Sequence, residues 1–138
     1  MKKFRLQAVA MFLFTAAAAL TSCSSDDNAS TPAPVSKTAF VTAVTGPATG
    51  TPNQELSLNV TFTVDNSCGA FDKVVETADG NTKTIEVKAA YAGSNCGTTP
   101  TTKNTVYKFK PAAAGTYVLK FKKSATEFIT QNIVVSAN

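Results

Sequence analysis

The stretch from residue 54 to residue 64 constrains the fold more than any other part of the chain. Leu56, Leu58, Val60, Phe62 and Val64 alternate with Ser57, Asn59, Thr61 and Thr63. Successive side chains of a strand point to opposite faces, so this spacing puts an apolar row on a core and a hydroxyl and amide row in water. A helix would scatter the same residues around its axis, because its apolar stripe needs a period near 3.6.

The rest of the chain after the N-terminal segment repeats the pattern in shorter runs. Residues 38–45 alternate weakly and stop at Gly46-Pro47, which predicts an edge strand leading into a turn. After Asp65-Asn66-Ser67-Cys68-Gly69, residues 70–77 resume around Phe71, Val74 and Val75. Asp79-Gly80 is a hairpin signal, and residues 82–91 return with Ile85, Val87, Ala89 and Tyr91 on one face. Residues 104–110 turn Tyr107 and Phe109 inward. Residues 116–123 do the same with Tyr117, Leu119 and Phe121, and residues 127–136 with Ile129, Ile133 and Val135. Strand-forming Thr, Val and Phe dominate, and Pro and Gly fall between the runs. The expectation is an all-β domain of about seven strands folded as a two-sheet sandwich.

The first residues belong to a different class. Met1-Lys2-Lys3-Phe4-Arg5 is a short basic start, followed by an apolar run from Leu6 to Leu20. That run falls short of the roughly 20 apolar residues a membrane-spanning helix needs, and it fits a secretory signal peptide. Leu20-Thr21-Ser22-Cys23 resembles the lipobox of bacterial lipoproteins. The resemblance implies cleavage before Cys23 and acylation of that cysteine, with palmitate-type chains anchoring the product to a membrane. Two lipid signals already give stable attachment. The residues after Cys23 are Ser, Asp, Asn, Ala, Thr and Pro, too polar to build a core, and read as a disordered tether. Asp26 and Asp27 look like the surface-export signal of Bacteroidota lipoproteins, which implies an outer-membrane, cell-surface location; if they only solubilise the tether, the domain faces the periplasm. The predicted division is a signal peptide over 1–22, lipidated Cys23 and tether over 23–36, and the sandwich over 37–138.

Charge narrows the partners. The chain carries 13 basic and 9 acidic residues, a formal +4. Lys2, Lys3 and Arg5 leave with the signal peptide, so the mature charge falls to about +1, and no basic footprint for nucleic acid remains. About 100 residues after the tether suffice for one modest core. Cys68 and Cys96 are the remaining cysteines in an exported chain, and a disulfide is the expected state of such a pair. It would stabilise the fold by roughly 3–4 kcal/mol. A metal pair or free thiols are the alternatives, but with no histidine a zinc site would need carboxylates to complete it.

Tyr107-Lys108-Phe109-Lys110-Pro111 followed by Gly115-Thr116-Tyr117-Val118-Leu119-Lys120-Phe121 is similar to the corner and following strand of immunoglobulin-like and fibronectin-type domains. Tyr117 takes the place of the tyrosine-corner residue, whose hydroxyl bonds upstream backbone. With the lipobox and tether, the whole chain resembles short immunoglobulin-like lipoproteins of Bacteroidota, which implies a fold and a location more than an activity. The chain departs from antibody domains in having Leu119 where a cysteine would follow the tyrosine, and no tryptophan.

Function is weighed on that scaffold. Catalysis is not expected: there is no histidine for acid–base work, no serine sits in a Gly-x-Ser-x-Gly turn, and Asp72 and Glu76 read as strand-surface carboxylates. No cofactor and no metal is expected. Asp65, Asn66 and Asp72 could share a calcium loop, but an Asx-turn accounts for Asp65-Asn66. Lys108, Lys110, Lys120, Lys122 and Lys123 read as a solvated sheet face, with a basic strip for acidic ligands as the alternative. Tyr91 is the one tyrosine near a loop, so glycan binding by stacking has little support. The polar loops 65–69 and 92–102, tied by the disulfide, are the expected binding surface, with Asn66, Ser67, Gly69, Ser94, Asn95 and Thr98 as its candidate residues. The expected role is a membrane-anchored, non-catalytic binding module whose partner is an envelope protein or an extracellular ligand. The alternative is a structural accessory subunit of an outer-membrane uptake or secretion assembly.

Overall fold

A computed structural model describes residues 33–137. The expected signal peptide, Cys23 and most of the expected tether lie outside the described residues. The strands are β1 Val35–Thr45, β2 Thr49–Gly50, β3 Leu56–Val64, β4 Gly69–Asp79, β5 Thr82–Tyr91, β6 Thr101–Phe109, β7 Gly115–Lys122 and β8 Phe128–Val135. Seven are the strands expected from alternation. The eighth, β2, is two residues long and pairs parallel with the end of β8, too short to leave a periodic signature.

Two layers form a sandwich. In the first sheet β4 pairs along the whole of β5. The other edge of β5 is divided: β7 takes Thr82–Ile85 in parallel, and β1 takes Val87–Tyr91 antiparallel. β7 then pairs β8. The second sheet places β3 between β6 and the later half of β1. β1 therefore serves both layers, leaving β5 after Ala39 and joining β3 from Phe40, with a register shift between Val41 and Ala43. An extra residue in one strand bends it and increases its twist; here it moves the inward face from Ala39 and Val41 to Val44, opposite Val60. β1 begins at Val35, two residues before the predicted domain boundary, because Val35 pairs with Tyr91 at the end of β5.

β3 behaves as its alternation requires. Leu56, Leu58, Val60, Phe62 and Val64 are all buried, and each such side chain stabilises the fold by about 1.5–3 kcal/mol relative to exposure. Facing them are Ile85, Val87, Leu119, Phe121, Ile133 and Val135, with Tyr107 edge-on to Phe121 at 5.6 Å. Burial, and then the negative charge of Glu76, push the Tyr107 phenol above its ordinary range. The β6–β7 corner closes as expected of Tyr117, whose hydroxyl donates to the carbonyl of Ala113 at 3.0 Å.

β4 is the strand expected around Phe71, Val74 and Val75, and it lies at an edge. It has one neighbour, β5, and most of it is exposed, including Phe71 and Val75. A register shift between Phe71 and Lys73 moves Val75 to the outer face, opposite Glu86. The lysines also separate. Lys120 and Lys122 lie on the outer face of the first sheet, and Lys108 lies on the second, so no single strip forms. Lys108 pairs with Glu55, Lys122 with Glu86 and Lys123 with Glu127.

Glu86 accepts from Lys122 at 2.6 Å and Lys88 at 2.9 Å. Those hydrogen bonds, Lys122 first, hold its carboxyl below the ordinary value of 4.5. A carboxylate depressed in the folded state stabilises it above the unfolded pKa, and that contribution disappears as pH falls through the folded value. Unfolding free energy is therefore expected to drop as pH falls below the ordinary glutamate value. Glu86→Gln is expected to flatten that part of the acid limb and to cost on the order of 1 kcal/mol at neutral pH, as urea titrations of both proteins across the acid range would measure.

Candidate functional site

The strand directions sort the loops onto two ends. At one end lie the start of β1, the β3–β4 and β5–β6 connections and the β7–β8 turn. The opposite end carries the β4–β5 hairpin, the β6–β7 corner and the end of β8.

Cys68 and Cys96 are joined by a disulfide at the first of these ends, with their Cα atoms 5.3 Å apart. It ties the two polar loops together, as the sequence suggested. Further bonds fix the junction. The Cys68 amide donates to Asn66 Oδ1 at 3.1 Å, which is the expected Asx-turn. The Gly97 amide donates to Ser67 Oγ at 3.2 Å, stitching one loop to the other. Gly93 holds φ at 112°, a conformation that side chains rarely adopt, and an added Cβ would stand 3.3 Å from Cys68 Sγ.

Beside the disulfide the start of β1, the end of β5 and the two loops bound an open cleft of about 310 Å³, lined by Ala33, Val35, Lys37, Asn66, Tyr91, Gly93 and Cys96. Val35, Lys37 and Tyr91 are on the inner face of the first sheet, by their pairing with Tyr91, Ala89 and Val35 respectively. Towards the middle of the strands that face is core; here, at the strand ends, it is the mouth of the sandwich. Lys37 Nζ stands 5.1 Å from the centre of the Tyr91 ring and 3.3 Å from Asp65 Oδ2. The Tyr91 hydroxyl accepts from the Asp65 amide at 2.8 Å, which leaves its own hydrogen free to donate.

The candidate residues therefore divide. Asn66 lines the cleft, and Ser67 braces its rim. Ser94, Asn95 and Thr98 are exposed on the neighbouring loop without lining the cleft. Gly69 is buried, and a Cβ there would come within 2.5 Å of Val64 Cβ and 2.9 Å of Tyr91 Cε1, so it serves packing and presents no binding surface. Sequence reasoning missed Val35, Lys37 and Gly93, and placed Tyr91 on the apolar face of its strand and near a loop without making it a site residue. The available signal was Lys37, a charge within the inward series Val35, Lys37, Ala39.

The calcium candidates are engaged elsewhere: Asp65 with Lys37, and Asp72 with the Ser36 hydroxyl at 2.9 Å. Among the described residues no group of three or more His, Cys, Asp or Glu lies close enough together to hold a metal ion. Glu76 is paired with Lys83 at 2.7 Å.

Comparison with known proteins gives one family. No curated protein and no solved structure matches the chain. The sequence pattern of the ORF11 beta-sandwich domain matches residues 58–130. That span is more than half of the 138 residues and runs from β3 into β8, with both cysteines and the Asn66 and Tyr91 sides of the cleft inside it. The chain belongs to the ORF11 beta-sandwich domain family.

Proposed function

We propose that this protein is a lipid-anchored, non-catalytic binding module, held in the outer membrane through Cys23 and exposed at the cell surface, that engages its partner or ligand at the disulfide end of the sandwich. One observation carries the assignment of the site: two polar loops, distant in sequence, are locked together by a disulfide and by the Ser67–Gly97 hydrogen bond beside an open cleft. Locking loops before binding lowers the ordering cost of association. The anchor rests on the lipobox-like Leu20-Thr21-Ser22-Cys23, and the cell-surface location on Asp26 and Asp27. The resemblance to short immunoglobulin-like lipoproteins of Bacteroidota agrees with both.

The accessory-subunit alternative calls for a contiguous apolar docking patch. Exposed large apolar residues are instead distributed. Val75, Phe128 and Val134 lie on the outer face of the first sheet, with Phe128 and Val134 towards opposite ends of β8. Phe40 and Val106 lie on the second sheet, Phe71 on the edge strand β4, and Val35 at the cleft. Scattered apolar residues of this kind are ordinary on a self-sufficient domain.

Site-specific photo-crosslinking on intact cells tests the assignment. A benzophenone side chain at Ser94, beside the cleft, is expected to give an adduct of increased mass on irradiation, and one at Ala113, at the opposite end, is expected to give none. Adducts from Ala113 alone, or from neither position, would contradict it.

A further inference from the structure

The cleft differs in chemistry from both flat faces of the sandwich. Loop residues 92–102 carry no charge at all, and the one cation lining the cleft among the described residues, Lys37, is balanced by Asp65 at 3.3 Å. A site without net charge has no long-range preference for anions or cations. One flank is apolar, made of Ala33, Val35, the Tyr91 ring and the disulfide. Around it stand oriented polar groups: the Asn66 amide nitrogen, free to donate because Oδ1 is held by the Cys68 amide, the Tyr91 hydroxyl hydrogen, and the Lys37–Asp65 pair. Donors and a carboxylate acceptor placed side by side match adjacent hydroxyl groups, each of which both donates and accepts. The cleft is walled on its strand side by β1 and β5, which pair with each other there. Its volume is at the small end of ligand pockets.

We infer that the cleft takes a neutral saccharide unit, its apolar ring face against Val35 and Tyr91 and its hydroxyls on Asn66, Lys37 and Asp65. This rests on the reading of the disulfide end as the binding site. Two sources share that chemistry: a free oligosaccharide, and the sugar head group of a glycolipid in the anchoring membrane. The second is within range, because the ten residue-to-residue steps from Cys23 to Ala33 span about 35 Å at full extension.

The test uses the full lipidated protein, purified in mild detergent with the disulfide verified by mass spectrometry. It is applied to an array of neutral hexose and N-acetylhexosamine oligosaccharides, uronate oligosaccharides and short peptides, and to vesicles with and without a neutral glycolipid. The expected result is binding to neutral sugars, weakened at least tenfold by Asn66→Ala and by Lys37→Ala and unchanged by Lys108→Ala on the outer face. Retention on free oligosaccharides or on glycolipid vesicles alone both support the inference and identify the source. A preference for uronates or peptides that still depends on Asn66 and Lys37 would overturn the saccharide class and leave the cleft as the site. Binding indifferent to both substitutions, or no binding to any probe by the folded protein, would overturn the saccharide and the cleft together.

Discussion

Replacing both disulfide cysteines, as Cys68→Ala with Cys96→Ala, is expected to lower the unfolding free energy by about 3.5 kcal/mol, read from urea titrations of the two proteins. The bridge closes a loop with a sequence separation of 28, and the loss of that restraint enlarges the unfolded ensemble. The magnitude is large against the 5–15 kcal/mol typical of a whole domain. The folded state loses something as well. Without the bridge, the loop from β5 to β6 is held to the β3–β4 turn by the Ser67–Gly97 hydrogen bond, so binding at the cleft is expected to weaken along with stability. A change below about 1 kcal/mol would mean that the two loops hold their arrangement without the bridge.

Phe62→Ala is expected to cost about 3–5 kcal/mol, the range for emptying a large aromatic site in a core. Phe62 is 0% exposed on β3, which has a neighbour on each side, and its ring centre lies 6.2 Å from that of Phe71. The matched comparison is Phe71→Ala on β4. Phe71 is 42% exposed at the edge of the first sheet, so its truncation is expected to cost less than half as much. Equal losses would show that β4 packs more tightly against the second sheet than its exposure implies. Phe62→Ala combined with loss of the disulfide is expected to leave little stability at 37 °C, though the sites are close enough that the two costs need not add.

These contrasts also explain which parts of the fold could be read from the residues. β3 and β5 lie between neighbours for most of their length and β7 for half of it, and their predicted inward positions lie in the core or pack against it. Phe71, Val74 and Val75 mark β4 as a strand, but such a run does not say whether anything covers it. One inserted residue in β4 then changes which face later residues occupy. The crossing of β1 between layers and the parallel pairing of β5 with β7 depend on contacts between distant strands, which no local pattern encodes. The cleft was legible on its loop side, where Asn66, Ser67 and the cysteines announce a turn and a bridge. Its strand side was hidden for a physical reason: inward positions such as Val35 and Tyr91 are core in the middle of a sandwich but line its mouth at the strand ends. Only the tertiary pairing shows which of these applies.

The central claim is that the sandwich is a module tethered to a membrane through Cys23. It is tested most directly by growing cells that express the native chain or Cys23→Ala with an alkyne-bearing palmitate analogue, then separating membrane from soluble protein. The account predicts that the native protein is labelled and sediments with the membrane fraction, and that Cys23→Ala carries no label and is not processed at that position. Labelling that survives the substitution, or a native protein that is unlabelled and soluble, would contradict it.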